Sequence, residues 1–312
     1  MAADGPGADV EAGMRAARAL GREGNDRGAV STLRRVLAWH PEHAPALALL
    51  GLHLDYLGDG AGARNACRAA VSLDPNDAVA HRLLGIVLGR RMGGRREALL
   101  HLHEAVRLDH ADPNNHFQLA NLLAALTYRR KALSAYRAAC ALAPDDPVIL
   151  GGTAEYLFGR CRSREAKVLA ARALVAGPDN VVALTAAARS RLCDGRSTDA
   201  RDLARAAVDL DAGHPPALAV LIEAELCRFR AFALWSRIRG WTLGGRLRST
   251  ALLFAFGTAC STAIGLIGLD TRGSVAVVSL YALGFVWAIV PALILRRRIE
   301  AAQRPVRLRR RF

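Results

Sequence analysis

The chain has few lysines and few aromatic residues; the first shortage concerns the genome, and the second concerns the protein's core. Only Lys131 and Lys167 are lysines among 43 basic residues, a composition typical of a bacterium with a GC-rich genome. Aromatic residues make up 5% of the 312 residues although 52% are hydrophobic. The core must therefore be built mainly from Ala, Leu and Val, which suits helices that pack closely together.

The cysteines also form no recognisable framework. There are six, they lie far apart, and none forms a Cys-x-x-Cys pair. Disulfide frameworks are typical of short secreted domains, and zinc sites usually need closely spaced pairs. We therefore expect free thiols, buried as small side chains in a reducing compartment. The first residues also lack a basic stretch followed by an apolar run, so we expect no secretory signal peptide.

Catalytic motifs are missing as well. The sequence contains no HExxH, Walker-type loop, GxSxG or dinucleotide fingerprint. His101 and His103 are two positions apart on a predicted helix and so point in different directions. Four polar residues near one turn are better explained by turn polarity and helix capping than by a metal site: Asp109, His110, Asp112 and His116. We expect a non-enzymatic protein without metal or cofactor.

The net charge of +15 is concentrated at one end of the chain. Residues 228–312 hold fifteen arginines against Asp270 and Glu300, a net charge of +13, which leaves +2 for residues 1–227. A nucleic-acid-binding domain carries its own basic face. Arginines at the ends of apolar segments are instead typical of membrane proteins. We therefore expect no nucleic-acid partner.

A set of small residues recurs about every 34 positions in the first two thirds of the chain. Each set has a small residue, an alanine twelve positions later and, except in the weaker first set, a second alanine nineteen positions after the start. The third set has one extra residue, which we place in the turn at Met92–Gly94. The sets are Ala17, Ala29 and Val36; Gly51, Ala63 and Ala70; Gly85, Ala98 and Ala105; Ala120, Ala132 and Ala139; Ala154, Ala166 and Ala173; and Ala188, Ala200 and Ala207.

Prolines mark the ends of the repeats. Four of them fall 24 positions after the first residue of a set: Pro41, Pro75, Pro144 and Pro178. Proline cannot continue a helix, and Asp or Asn beside it can cap the next one, so each predicts a turn between repeats. In the third and sixth repeats the proline comes later, at Pro113 and Pro215. We expect longer turns there.

A period of 34 with these small residues and prolines resembles the tetratricopeptide repeat (TPR) family over about residues 10–212. The aromatic positions typical of TPR units are mostly aliphatic or Ala here, although Tyr136 keeps one of them. The resemblance implies an all-α, TPR-like helical-repeat solenoid of about six helix pairs. A capping helix is expected to begin at Pro215.

The resemblance also implies a protein or peptide partner, because the first helices of TPR-like solenoids line a concave groove that often takes peptides. The slots that some TPR proteins use to clamp a C-terminal carboxylate are mostly apolar here, which disfavours that class of partner. Packing against a neighbouring residue is an equally good interpretation of each groove position. By phase, the candidate groove residues are Arg82, Ile86, Phe117, Asn121, Glu155, Phe158 and Arg189.

Two uncharged apolar segments, residues 251–269 and 275–295, predict transmembrane helices. Each matches the roughly 20 residues that cross a ~30 Å hydrocarbon layer. Arginines flank the outer ends, whereas the turn at 270–274 holds one Arg and one Asp. The positive-inside rule therefore predicts that both termini are cytoplasmic. A soluble buried helical hairpin is the alternative.

The residues next to these segments predict contact with anionic lipid headgroups. Residues 228–250 mix arginines with aromatics, which favours an amphipathic segment on a membrane over a nucleic-acid site. Small-residue stripes favour packing of the two transmembrane helices on each other, with self-association between copies as the alternative. The predicted interface residues are Arg237, Arg239, Trp241, Arg246, Arg248, Arg296, Arg297 and Arg298.

The sequence thus predicts a non-enzymatic, multi-pass protein of the cytoplasmic membrane that recruits a protein partner to the inner face. An assembly factor or chaperone for envelope proteins, and an accessory subunit of a membrane enzyme or transporter, are alternatives. The predicted segments are a disordered N-terminus (1–9), the solenoid (10–227), a basic–aromatic segment (228–250), two transmembrane helices (251–269 and 275–295) joined by a turn (270–274), and a basic cytoplasmic tail (296–312).

Overall fold

The structure is a computed structural model that describes residues 6–160 and 162–227. Within these residues the regular secondary structure is entirely helical, which confirms the all-α prediction for this part of the chain. A 3₁₀ turn lies at Met92–Gly94. The α-helices are α1 (Pro6–Arg22), α2 (Asp26–Trp39), α3 (Ala44–Tyr56), α4 (Gly60–Leu73), α5 (Ala78–Gly89), α6 (Arg95–Leu108), α7 (Pro113–Ala125), α8 (Arg129–Leu142), α9 (Pro147–Phe158), α10 (Ser163–Ala176), α11 (Val181–Cys193), α12 (Ser197–Leu210) and α13 (Pro215–Leu226).

Consecutive helices pack in pairs, and the periodic small residues are the reason. Every alanine of the predicted sets is fully buried. At Gly51 an added Cβ would lie 2.3 Å from Cys67 Sγ and 2.8 Å from the backbone oxygen of Ala63. Only glycine therefore allows α3 and α4 to approach this closely. The six pairs and the single helix α13, which packs on α12, confirm the predicted repeat count in the described residues.

The described residues divide into two compact units, which meet between Pro144 and Asp145 in the sequence. The described helices of the first unit are α1–α8, four pairs that stack through α2 on α3, α4 on α5 and α6 on α7. In the second unit α9–α12 form two pairs, which stack through α9 and α10 on α11. In both units a first helix packs against the first helix of the next pair, as α3 does on α5 and α9 on α11.

Every turn between the described repeats is four residues long. The prediction of longer turns in the third and sixth repeats is therefore wrong, because residues 109–112 and 211–214 are no longer than the others. Pro113 and Pro215 occupy the first turn of the following helix instead. An N–H is not needed there for the helix, so proline is tolerated. The extra residue of the third repeat does lie at Met92–Gly94, as predicted.

Acidic and amide side chains cap the helices that follow the turns. Asp77 accepts a hydrogen bond of 2.8 Å from Val79 N, and Asn180 accepts one of 2.9 Å from Val182 N. Such a cap contributes about 1 kcal/mol to helix stability. Asp112 likewise caps α7 by accepting from Asn114 N at 2.8 Å, while Asp109 Oδ1 accepts within the turn from the N–H of Ala111 at 3.0 Å and of Asp112 at 3.1 Å. The capping interpretation of this polar turn is confirmed.

The free cysteines of the described residues differ in exposure. Cys67 is buried, whereas Cys193 is exposed, so the expectation of buried thiols is correct for the first and wrong for the second. Burial raises the pKa of the Cys67 thiol to about 12, and the nearby carboxylate of Asp55 adds to the effect. Cys67 therefore stays protonated at neutral pH and acts as a small apolar side chain.

Several predicted segments lie outside the described residues. They are residues 228–250, 251–269, 270–274, 275–295 and 296–312, together with all the predicted membrane-interface residues. Among the described residues, no helix combines the length and apolar character that crossing a bilayer requires. At the other end α1 begins at Pro6, ahead of the predicted start of the repeats at residue 10, so residues 6–9 are helical.

Candidate functional site

The predicted groove residues all lie on first helices, the ones that begin each repeat. We call the surface formed by these helices the first-helix face: α1, α3, α5 and α7 in the first unit, and α9, α11 and α13 in the second. The face of each unit is described separately. Arg82, Ile86, Phe117 and Asn121 lie in the first unit, and Glu155, Phe158 and Arg189 in the second.

Arg82 joins the third repeat to the fourth. Its Nη1 pairs with Asp112 and donates a hydrogen bond of 2.9 Å to Asn115 Oδ1. Asn115 is fully buried and donates to the backbone oxygens of Ala105 at 3.1 Å and Asp109 at 2.9 Å. The Arg82 guanidinium is thus held by contacts within the protein. Arg82 supports the groove, and its charge is already neutralised by Asp112.

The ion pair of Arg82 persists at neutral pH. Burial raises the pKa of Asp112, but the backbone N–H of Asn114 and the charge of Arg82 lower it by more, so the net pKa lies below the ordinary value. A carboxylate with a lowered pKa stabilises the fold above its unfolded pKa, and this stabilisation is lost as the pH falls through the folded value. The link between these repeats therefore weakens only in acid.

Phe117 and Asn121 are held by Tyr136, the aromatic kept from the TPR pattern. Phe117 is 8% exposed and meets the Tyr136 ring edge-on at 5.9 Å between centroids. The Tyr136 hydroxyl donates a hydrogen bond of 2.6 Å to Asn121 Oδ1. Asn121 Nδ2 donates to Gln118 Oε1 at 3.3 Å. Phe117 is thus a packing residue, whereas the half-buried amides of Asn121 and Gln118 remain at the surface of the face.

Among the predicted groove residues of the first unit, Ile86 is the apolar residue that stays partly open. It is half-buried on α5, and Leu52 is half-buried at the equivalent position of α3, 34 residues earlier. Because α3 packs on α5, the two side chains belong to neighbouring helices of one face. They provide an apolar strip beside the amides of Asn121 and Gln118. Sequence reasoning missed Leu52 and Gln118, although the period of 34 applied to Ile86 points to Leu52.

The face of the second unit carries an ion pair between Glu155 and Arg189. Arg189 Nε donates to Glu155 Oε1 at 3.0 Å and to Oε2 at 2.7 Å. Burial raises the pKa of Glu155; Arg189 opposes this, and the charge of Glu223 adds to the rise. Glu223 lies 34 residues after Arg189, and the same interval separates Arg189 from Glu155. Phe158 packs against a cluster of buried alanines on α9, α10 and α11.

Known proteins resemble this chain only in structure. No protein-family model and no curated protein sequence matches it. The crystal structure of TTC0263, a thermophilic TPR protein of Thermus thermophilus, is 25% identical with a TM-score of 0.55, covering 59% of this chain and 99% of that one. The fold is TPR-like.

Two further solved structures agree on the fold. Pseudomonas aeruginosa PilF is 19% identical with a TM-score of 0.50, covering 69% of this chain and 97% of that one. PilW, a type IV pilus biogenesis factor, is 15% identical with a TM-score of 0.52, covering 68% of this chain and 98% of that one. At these identities the likeness shows the TPR-like fold and nothing about partners.

The TPR-like face brings the predicted residues together in two groups, one in each unit. Arg82 and Phe117 mainly support the first group, while Ile86 and Asn121 keep surface for a contact. Within the described residues there is no group of three or more His, Cys, Asp or Glu side chains placed to hold a metal ion. What the face offers chemically is an apolar strip with amide donors and acceptors beside it.

Proposed function

We propose that this protein is a membrane-tethered scaffold that binds a protein or peptide partner on the first-helix faces of its TPR-like repeats. Stacked helix pairs offer extended binding surfaces, and folds of this type are typically interaction modules rather than enzymes. One observation carries the proposal. The first unit holds its face rigid through Arg82, Asn115 and Tyr136, yet leaves Ile86 and Asn121 half-buried at the surface.

This arrangement suits protein recognition for energetic reasons. A face that is already ordered loses little conformational entropy when a partner binds. Ile86 and Leu52 supply apolar area, and the amides of Asn121 and Gln118 can exchange hydrogen bonds with a partner's backbone. The internal ion pairs of Arg82 and Glu155 add rigidity without exposing unpaired charge.

The membrane tether is proposed from the sequence. Residues 251–269 and 275–295 are free of charged side chains, and arginines flank their outer ends. Under the positive-inside rule this puts the repeats on the cytoplasmic side. Contacts of Arg237, Trp241 and Arg246 with anionic headgroups belong to the same proposal. The two segments pack on each other, or on those of a second copy, through their small-residue stripes.

Co-purification tests the scaffold. The tagged full-length protein is extracted from its native membrane in mild detergent, and bound proteins are identified by mass spectrometry. We expect specific partners that are lost with Ile86→Asp and kept with Leu100→Asp, since Leu100 is 72% exposed on the second helix α6. Recovery of no specific protein would refute the scaffold. Equal loss with both variants would refute the role of the first-helix face.

Protease accessibility tests the tether. Protease added outside intact cells should reach at most the turn at residues 270–274, because the repeats are proposed to be cytoplasmic. Digestion should leave a protected fragment that contains the whole repeat domain, detected with an antibody against it. Degradation of that domain in intact cells would contradict the proposed topology.

A further inference from the structure

Three exposed residues occupy the same position on the first three first helices. Arg22, Tyr56 and Arg90 are each 34 residues from the next and lie at or just after the ends of α1, α3 and α5. All three side chains are exposed. We call them the arginine–tyrosine row. They belong to the first unit and are not among the predicted groove residues.

The tyrosine contacts His53 of its own helix, and the first repeat holds His53 in place. His53 Nδ1 lies 2.8 Å from Asp26 Oδ1, and the His53 ring meets the edge of Tyr56 at 6.2 Å between centroids. The backbone of α1 approaches closely here, because an added Cβ at Gly21 would lie 2.5 Å from His53 Cε1. Arg22 follows Gly21 directly. The end of α1 and its arginine are therefore placed beside this part of α3.

Contacts from the third repeat also hold the tyrosine. The guanidinium of Arg90 lies over the Tyr56 ring, 4.7 Å from its centroid. Arg90 Nη1 is 3.0 Å from Asp55 Oδ2, and the Asp55 side chain is 12% exposed. Burial raises the pKa of Asp55, although Arg90, Arg64 and Arg91 lower it. Tyr56 and Arg90 are thus fixed in place before any partner arrives.

The surroundings of the row are basic. Arg18 and Arg91 are exposed beside it. The acidic residues nearby are Glu23, which is exposed, Asp26, which already contacts His53, and Asp55, which is already paired with Arg90. A guanidinium binds carboxylates through two parallel hydrogen bonds, and such charge-assisted bonds are the stronger ones. The row therefore presents positive charge around a fixed aromatic ring on a face otherwise made of apolar and amide groups.

We infer that the arginine–tyrosine row binds an extended acidic segment of the partner protein, an inference that rests on the proposed scaffold function. Carboxylates of the segment pair with Arg22 and with the part of the Arg90 guanidinium that Asp55 leaves open, since the Arg90 side chain is 47% exposed. An apolar side chain between them covers the exposed part of Tyr56. Neighbouring helices pack about 8–10 Å apart and an extended chain advances ~3.3 Å per residue. Acidic residues about six positions apart therefore reach both arginines. Nucleic-acid affinity comes mainly from neutralising several phosphates, about 6–10 in a strongly salt-dependent complex, whereas this row supplies two arginines.

The test uses the full-length protein in nanodiscs of neutral phosphatidylcholine. The probe is a fluorescent peptide with two pairs of glutamates six residues apart around a central leucine, and the reference peptide has glutamine at the same positions. Fluorescence anisotropy should show that the acidic peptide binds more tightly than the glutamine peptide. Salt should weaken the binding of the acidic peptide, since ~1 M salt reduces the screening length to about 3 Å.

Variants locate the binding. Arg22→Gln and Tyr56→Leu should each weaken binding about fivefold, and both side chains are exposed, so the fold is kept. Arg34→Gln is the matched control, because Arg34 is exposed on the second helix α2. The Arg34→Gln variant should bind the acidic peptide as tightly as the unchanged protein does. The unfolding temperatures of all variants are measured in parallel and should equal that of the unchanged protein, so that a lower affinity reflects the binding site and not a loss of fold.

Three results would overturn the inference. The first is equal binding of the glutamate and glutamine peptides. The second is a loss with Arg34→Gln as large as with Arg22→Gln. The third is that oligothymidylate or phosphatidylserine vesicles, and not the acidic peptide, bind in a way that depends on Arg22. If co-purification still recovers a partner, the scaffold stands and only the acidic segment is refuted; if it recovers none, the scaffold itself fails.

Discussion

Gly51 has no room for a side chain between α3 and α4. A Cβ there would meet Cys67 Sγ at 2.3 Å and the backbone oxygen of Ala63 at 2.8 Å, and the backbone cannot yield as a flexible side chain does. We predict that Gly51→Ala lowers the free energy of unfolding by about 1–3 kcal/mol through overpacking. Urea denaturation of the full-length protein in detergent, followed by circular dichroism, measures it.

Gly60→Ala is the matched control for Gly51→Ala. Gly60 begins α4, and the nearest atom to its added Cβ is Arg64 Nη1 at 3.6 Å, an ordinary contact. Alanine reduces the conformational entropy of the unfolded chain, so this variant should be stabilised by about 0.4–1 kcal/mol. If the two variants unfold alike, the close approach at Gly51 is not what sets the distance between α3 and α4.

Asn115 is the second residue whose loss we expect to be costly. It is fully buried and bonds Arg82 and two backbone oxygens across the turn between α6 and α7. Asn115→Ala should lower the free energy of unfolding by about 1–3 kcal/mol because buried polar groups lose their partners. Asn114→Ala, at an exposed neighbour whose backbone N–H still bonds Asp112, should cost less than about 1 kcal/mol. Equal costs in denaturant titrations would contradict this role of Asn115.

At the residue scale, buried residues that recur in every repeat were predictable, whereas residues whose contacts occur in one repeat were not. Ala63, Ala132 and Ala200 are fully buried because every repeat needs a small residue at the same contact, so the period revealed them. Asn115 and His81 make contacts found in one repeat each. A unique contact leaves no period in the sequence, and its partners are distant along the chain until the fold brings them together.

At the scale of elements, two histidines join α5 to α6. His81 Nε2 lies 3.1 Å from the carbonyl oxygen of Pro75, which can only accept, so this nitrogen carries the proton and donates. His81 Nδ1 must then accept from His101 Nδ1–H, 3.0 Å away. This assignment follows from the hydrogen bonds.

The histidine pair predicts that acid destabilises the third repeat. Burial and the neighbouring His81 lower the pKa of His101 below its ordinary value of 6.5; Arg68 acts in the same direction, while Glu97 and Glu104 oppose it. Below pH 6.5 the unfolded chain therefore binds more protons than the folded one, and the free energy of unfolding falls as the pH drops towards the lowered pKa.

His101→Gln tests this dependence, because glutamine keeps an N–H donor but does not titrate in this range. The change in urea midpoint between about pH 7.5 and 5.5 should be smaller for His101→Gln than for the unchanged protein. His103→Gln, two residues away at an exposed site, should behave like the unchanged protein. An unchanged pH dependence in His101→Gln would show that this pair does not control the acid response.

Helices were easier to predict than the turns between them. Small residues, prolines and caps located six pairs because each repeat carries the same signals. The turns at 109–112 and 211–214 were predicted to be longer, and they are not. A proline either ends a turn or begins the next helix, and the sequence pattern does not separate the two roles. At Pro113 and Pro215 it begins the helix.

At the scale of the whole molecule, the two units present different surfaces to a partner. The first combines an apolar strip at Leu52 and Ile86 with the basic arginine–tyrosine row. The second offers the alternating charges of Glu155, Arg189 and Glu223, whose spacing of 34 residues places them on successive first helices. The sequence predicted which helices carry the face. It did not predict that Arg82 pairs with Asp112 or that Glu155 pairs with Arg189, since ion pairing depends on side-chain geometry.

Site-specific photo-crosslinking in living cells tests the central claim, binding of a protein on the first-helix face. A photoreactive amino acid replaces Ile86 or Asn121 on that face, and Leu100 or Val168 on the second helices α6 and α10, where the side chains are 72% and 61% exposed. We predict a partner crosslinked from Ile86 and Asn121 and none from Leu100 or Val168. Crosslinks to the same protein from Leu100 and Val168, with none from Ile86 and Asn121, would contradict the account.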